Sequence, residues 1–98
     1  MEKVTGIGGL FFKAKDPDVL SEWYEDHLGI STVPKNYDDP SWSQSSGPTV
    51  FAPFSMDTDY FGRASQSWMI NFRVNDLTAM VAQLKSAGID VTVEPESY

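Results

Sequence analysis

The sequence contains no cysteine and a single histidine, His27. The lack of thiols excludes disulfide bonds, thiolate nucleophiles and cysteine-ligated metals. His27 has no second histidine with which to share a metal, and its pattern places it near the C-terminal end of a helix. An imidazole suits the helix dipole there. We therefore interpret His27 as a helix-end residue rather than a general base or a metal ligand.

Basic residues are also few. The chain has 7 Lys and Arg against 14 Asp and Glu, for a formal net charge of −7. With no basic stretch to displace the counterions of phosphates, the composition argues against a nucleic-acid partner and leaves neutral or cationic small molecules as ligands. Long apolar runs are missing too, so we expect neither a signal peptide nor a membrane partner, and a cytoplasmic location.

What the chain does contain suits one small globular domain. It has 98 residues, 41% of them hydrophobic and 13% aromatic. A domain of this size buries a limited core, so pairing with a second copy would stabilise it. We expect a homodimer.

Two segments of the chain, "LFFKAKD" (residues 10–16) and "INFRVND" (residues 70–76), resemble each other. The alternation of apolar and other residues predicts strands with one buried face at Gly9–Ala14 and Met69–Val74. Each segment ends in an aspartate that can cap a helix, and each following helical pattern ends in a Gly-Ile pair, at Gly29 and Gly88. The common order indicates a duplicated unit.

The two units are predicted to differ in completeness. The first unit (1–60) is predicted to have the order β-α-β-β-β, and the second (68–98) is partial. Trp23 and Tyr24 lie on the helix of the first unit, and we expect them to pack against a sheet. Residues 55–67 are predicted to form a polar loop between the units. The further strands are predicted at Thr32–Tyr37, Trp42–Ser45, Thr49–Phe54 and Asp90–Glu94.

Three stretches carry a family resemblance: "FFKAKDPDVLSEWYEDHLGI", "TVFAPFSMDTDYFG" and "MINFRVNDLTAMVAQLKSAGIDV". In their order and residue pattern these stretches resemble the vicinal oxygen chelate (glyoxalase/bleomycin resistance/dioxygenase) superfamily. The resemblance implies a single domain over 1–98 with an α+β fold, in which duplicated βαβββ units curl a sheet into a cup around a ligand. It also implies two final strands that the second unit lacks.

The metal positions implied by the resemblance are not occupied by metal-ligating residues. They fall on Gly9 and Met69, and the strand that would bring a glutamate is missing. We therefore expect no metal and no cofactor. The glycines of "TGIGGLFF" do not form a nucleotide-binding loop either, because the G-x-G-x-x-G pattern begun at Gly6 meets Phe11 at its last position.

The aromatic and polar residues of the predicted cup are the candidate ligand-binding residues. They are Phe11, Lys13, Trp42, Phe51, Tyr60, Trp68, Met69, Asn71 and Arg73. Filling a small core or a dimer interface would explain the aromatic ones equally well. We assign no catalytic residue, because the acids Glu22, Glu25 and Asp26 share one helix turn and suit a solvated face.

The sequence thus favours a metal-free protein that binds, and in one version sequesters, a small organic or cationic compound. One alternative is a metal-dependent lyase, isomerase or dioxygenase of the same superfamily, with ligands supplied from outside this chain. Another is a truncated structural or interaction protein without a ligand.

Overall fold

The chain folds locally into two helices in this computed structural model, which describes residues 1–31 and 41–94. Helix α1 spans Pro17–Leu28 and helix α2 spans Leu77–Ser86. The backbone divides into two units, Met1–Ser43 and Gln44–Tyr98, and each unit contains one helix. Neither helix is long and apolar enough to cross a membrane.

Helix α1 begins and ends at the residues that the sequence predicts. The Asp16 side chain accepts a hydrogen bond from the Val19 N–H at 3.2 Å, and Pro17 occupies the first turn, where its missing N–H costs nothing. At the other end Gly29 adopts a left-handed conformation with φ 70° and donates to the Glu25 carbonyl at 3.1 Å. The predicted cap and stop of α1 are confirmed.

The C-terminus of α2 is closed by a glycine in the same way. Gly88 has φ 78°, a value that side chains with a Cβ rarely adopt. Its N–H donates to the Lys85 carbonyl and the next N–H, of Ile89, donates to the Leu84 carbonyl, both at 3.0 Å. This pair of bonds is the Schellman motif, and it satisfies carbonyls that the helix end leaves without partners.

The N-cap of α2 gives a first testable prediction. The Asp76 carboxylate accepts a hydrogen bond from the Ala79 N–H at 3.0 Å. Replacing Asp76→Ala should destabilise α2 by about 1 kcal/mol, because one helix N–H loses its acceptor. Far-ultraviolet circular dichroism should show a loss of helical signal. The matched control is Asp90→Ala, which removes the same charge just beyond the helix, and equal losses in both variants would contradict the capping role.

The predicted strands are not present in the part of the chain that the structure describes. The one at Thr32–Tyr37 lies outside the described residues. The others form no strand and no sheet; they are Gly9–Ala14, Trp42–Ser45, Thr49–Phe54, Met69–Val74 and Asp90–Glu94. Period-two alternation marks one face of a segment but does not supply a partner strand. A strand needs hydrogen bonds from a segment distant in sequence, whereas a helix makes its own within one turn.

The predicted fold class is therefore wrong. An α+β fold of duplicated βαβββ units requires a sheet, and the described residues contain helix without any strand. The two units share only local features. Each has an aspartate N-cap, a helix of 12 or 10 residues and a Gly-Ile pair after the helix. The duplicated order of the sequence thus corresponds to two similarly capped helices, and it does not extend to a curved sheet.

No residue of the described ranges is buried. Trp23, which was expected to pack against a sheet, is 37% exposed, and its ring contacts Tyr24 edge-on at a centroid distance of 5.3 Å. Much apolar surface is therefore available to a ligand or to another chain.

Candidate ligand-binding cleft

The segment from residue 55 to residue 66 is a series of three tight turns in the second unit. In each turn the N–H of the fourth residue donates to the carbonyl of the first. The bonds run from Thr58 to Ser55 at 3.0 Å, from Gly62 to Asp59 at 3.1 Å and from Gln66 to Arg63 at 3.0 Å. Consecutive turns fold the backbone back on itself over a short distance, so they can gather side chains that are close in sequence.

Side chains of this segment hold the turns as well. The Ser55 hydroxyl accepts a hydrogen bond from the Asp57 N–H at 3.4 Å, and the Thr58 hydroxyl accepts one from the Tyr60 N–H at 3.2 Å. Serine and threonine favour turns through such bonds to the N–H two residues on. Gly62 has φ 96°, which glycine adopts without strain. The polar residues of the predicted loop therefore shape the backbone here.

These turns bring three aromatic rings together. The Phe54 ring lies 5.6 Å from that of Tyr60, nearly parallel at 26°, and 5.2 Å from that of Phe61. The Tyr60 and Phe61 rings are 6.5 Å apart at 64°. Aromatic pairs at such separations stabilise a fold by about 0.5–1.5 kcal/mol each when the rings are desolvated, and by less at an exposed site. The result is an aromatic cluster next to residues 63–70.

An open cleft of about 320 Å³ adjoins this cluster. Its volume lies at the lower end of the range of ligand sites, about 300–1,000 Å³. Its lining combines aromatic, aliphatic and polar side chains. They belong to Tyr60, Phe61, Arg63, Gln66, Trp68, Met69 and Ile70.

The polar groups of the cleft have distinct tasks. The Gln66 amide donates to the Trp68 carbonyl at 2.7 Å, a bond that ties the last turn to the segment carrying Trp68. Arg63 is the charged residue of the lining, which includes neither aspartate nor glutamate. The aromatic side chains of the cleft can therefore stack on a ring of a ligand, and Arg63 offers one positive charge to the same ligand.

Three of the nine candidate residues line this cleft: Tyr60, Trp68 and Met69. Phe11, Lys13 and Trp42 belong to the first unit, and Phe11 is 92% exposed. Phe51 and Asn71 belong to the second unit but do not line the cleft. The binding role of all nine stays a prediction, and the structure brings these three together.

Arg73 makes a different contact within the second unit. Its guanidinium donates to the Ser45 carbonyl at 3.0 Å and lies against Gly47, in the space that a Cβ at residue 47 would occupy. This contact links residues 45–47 to the segment after the cleft. The Arg73 guanidinium therefore binds the backbone at Ser45. The positive charge available to a ligand in the cleft comes from Arg63.

Sequence reasoning missed four residues of the lining: Phe61, Arg63, Gln66 and Ile70. Three of them lie in or directly beside turns that were interpreted as a polar connection between two half-sheets. Serine and threonine at positions 55 and 58, together with the Phe-Gly pair at 61–62, are turn signals that could have identified a compact segment. The prediction of a loop was right that this segment forms neither helix nor strand. It did not anticipate that the segment contributes to a cleft.

The acidic residues of the described ranges do not assemble into a metal site. No group of three or more His, Asp or Glu side chains there is placed to hold an ion. His27 instead contacts the Trp23 ring of its own helix at a centroid distance of 5.1 Å. The expectation of a protein without metal stays a prediction.

Protein-family models, curated proteins and solved structures show no match to this chain. The resemblance to the vicinal oxygen chelate superfamily, with its glyoxalase, bleomycin resistance and dioxygenase functions, is wrong for the structure described above. Its cup requires a sheet, and residues 1–31 and 41–94 contain no strand with which to build one. Any function must be argued from the cleft itself.

Proposed function

We propose that this chain binds a small planar aromatic molecule in the cleft beside the aromatic cluster. The observation that carries the proposal is the convergence of Tyr60, Phe61 and Trp68 with two apolar side chains around one cleft of ligand size. Aromatic walls favour flat apolar ligands, because stacked or edge-on rings attract each other beyond the area they bury. A cytoplasmic location and the lack of a cofactor accompany this proposal as predictions from the sequence.

The expected affinity is weak. A single-ring ligand that buries about 150 Å² of apolar surface gains about 4 kcal/mol, which corresponds to a Kd of about 1 mM. An open cleft leaves part of the ring in water and association costs entropy, so we expect a Kd of about 1 mM or higher for benzyl alcohol, a neutral probe.

Removal of Trp68 should weaken this binding. We expect Trp68→Ala to raise the Kd of benzyl alcohol by about tenfold, because one wall of the cleft loses its ring. Titration followed by the amide signals of residues 60–70 in ¹H–¹⁵N NMR spectra measures the Kd. The matched control is Trp23→Ala, which removes a tryptophan from the first unit and should leave the Kd within about twofold.

Two results would contradict the proposal. One is the absence of any shift in the signals of residues 60–70 up to the solubility of the probe. The other is an equal loss of affinity in Trp23→Ala and Trp68→Ala, since that would place binding outside the cleft.

We also propose that two copies of the chain associate through α2. Its apolar face consists of Leu77, Met80, Val81 and Leu84, and Leu77 is 69% exposed. We call this the α2 face. A specific interface buries about 800 Å² per partner. The exposed side chain of Leu77 supplies apolar area to such an interface.

Charge selects α2 over α1 for this contact. The chain carries a net charge of −7, so two copies repel each other wherever their acidic residues meet. Helix α2 contains no acidic residue and has Lys85 in its last turn, whereas α1 contains four acidic residues. Two copies can therefore bring their α2 faces together at a lower electrostatic cost than their α1 helices.

A further inference from the structure

We infer that the cleft prefers an aromatic anion, specifically an aromatic carboxylate, over a neutral or cationic ring. The inference rests on the proposed function, because it names the ligand class of the same cleft. It differs from the sequence-based expectation of a small organic or cationic compound, which stays a prediction. The observation that carries it is the position of Arg63 among the aromatic side chains of a lining without any carboxylate.

Arg63 is suited to a ligand because its side chain has no partner among the described residues. Neither a carboxylate nor a carbonyl of those residues pairs with its guanidinium, which is exposed at the cleft. The other arginine of the cleft region, Arg73, donates to the Ser45 carbonyl instead. A guanidinium offers parallel N–H donors that match the two oxygens of a carboxylate.

The remaining polar side chain of the lining does not compete with this assignment. The Gln66 amide already donates to the Trp68 carbonyl at 2.7 Å. Breaking that bond to contact a ligand would leave the carbonyl without this donor. A carboxylate that enters between the rings therefore meets Arg63 as its principal donor.

A cation would be less favoured than an anion here. An exposed aromatic wall attracts a cation by about 0.5–1 kcal/mol. A fixed positive charge at about 4 Å repels it by about 1 kcal/mol even with the full screening of water, and by more at a protein surface. Arg63 thus cancels the attraction of the rings for a cation, and it attracts the carboxylate of a ligand whose ring stacks on them.

The net charge of −7 opposes any anion at long range, so the preference must be local. At physiological ionic strength the screening length is about 8 Å, so a direct contact with Arg63 is little screened, whereas charges farther from the ligand than this length are largely screened. The contact with Arg63 therefore outweighs the distant acids under those conditions.

The test compares three probes that share one ring: benzoate, benzyl alcohol and benzylammonium. We expect benzoate to bind about fivefold more tightly than benzyl alcohol, and benzylammonium to bind no more tightly than the alcohol. Arg63→Gln should abolish the advantage of benzoate over benzyl alcohol, so that the ratio of their Kd values falls to about one. Lys85→Gln, which removes a cation of α2 outside the lining, should preserve the advantage.

The outcomes separate the two proposals. If benzyl alcohol shifts the signals of residues 60–70 but benzoate binds no more tightly, the charge inference fails and the aromatic cleft remains. If Lys85→Gln reduces the benzoate advantage as much as Arg63→Gln, the preference comes from net charge and the role of Arg63 is wrong. If neither probe shifts these signals, both proposals fail.

Discussion

Replacing Leu77→Asp should weaken self-association by about 30- to 1,000-fold, the largest effect that we expect from one substitution. Full burial of a leucine contributes about 1.5–3 kcal/mol, and Leu77 is 69% exposed in the single chain, so about 1–2 kcal/mol is available per copy. A symmetric pair loses this amount twice. The introduced carboxylate adds repulsion between two chains that are already acidic. Sedimentation equilibrium measures the dissociation constant.

The matched control is Thr78→Asp, one residue along the same turn. Both variants add one negative charge to the first turn of α2, where an acid is favourable for the helix dipole, so their effects on helix stability should be similar. Only Leu77→Asp removes an apolar side chain from the α2 face. Equal weakening in the two variants would mean that charge alone controls association. A wild-type chain that stays monomeric at high concentration would exclude the homodimer.

The helix termini could be predicted from sequence because their determinants lie within a few residues. Asp16 and Asp76 each accept a bond from an N–H three residues on, and Gly29 and Gly88 adopt positive φ where the helices stop. Such interactions form within one turn of chain and depend little on what surrounds them. Their prediction therefore holds even though the described residues form no buried core.

The strands could not be predicted in the same way. The alternation of residues 69–74 shows which side chains would share a face, but it does not show whether a second segment pairs with them. The energy of a strand comes from such pairing and from burial of that face. Residues 69–74 form no strand, and Ile70 and Phe72 remain 38% and 37% exposed, so pairing is absent there and burial is only partial.

The cleft was predicted in part, and the reason is again the range of the interactions. Trp68 and Met69 were selected for a predicted cup and line a different site, a cleft built by turns. Arg63 was overlooked because a polar segment between two apolar ones resembles a connection. Arg63 and Trp68 line the same cleft because three successive turns precede Trp68. Each turn can be predicted from its own residues, but the side chains that the three turns together bring close cannot.

The final prediction is that salt strengthens self-association strongly. Two chains of charge −7 with centres about 20 Å apart repel each other by about 10 kcal/mol in unscreened water. Screening lowers this to about 5 kcal/mol at 0.01 M salt and to about 1.4 kcal/mol at 0.1 M, since the screening length falls from about 30 Å to about 10 Å. The difference corresponds to a decrease of the dissociation constant by about two to three orders of magnitude. Sedimentation equilibrium at the two salt concentrations measures it. Lys3→Gln, which changes the formal charge from −7 to −8 without altering a residue of α2, should steepen the dependence. Association that weakens with salt would instead require ion pairs across the interface, and the acid-free α2 face would then be the wrong surface.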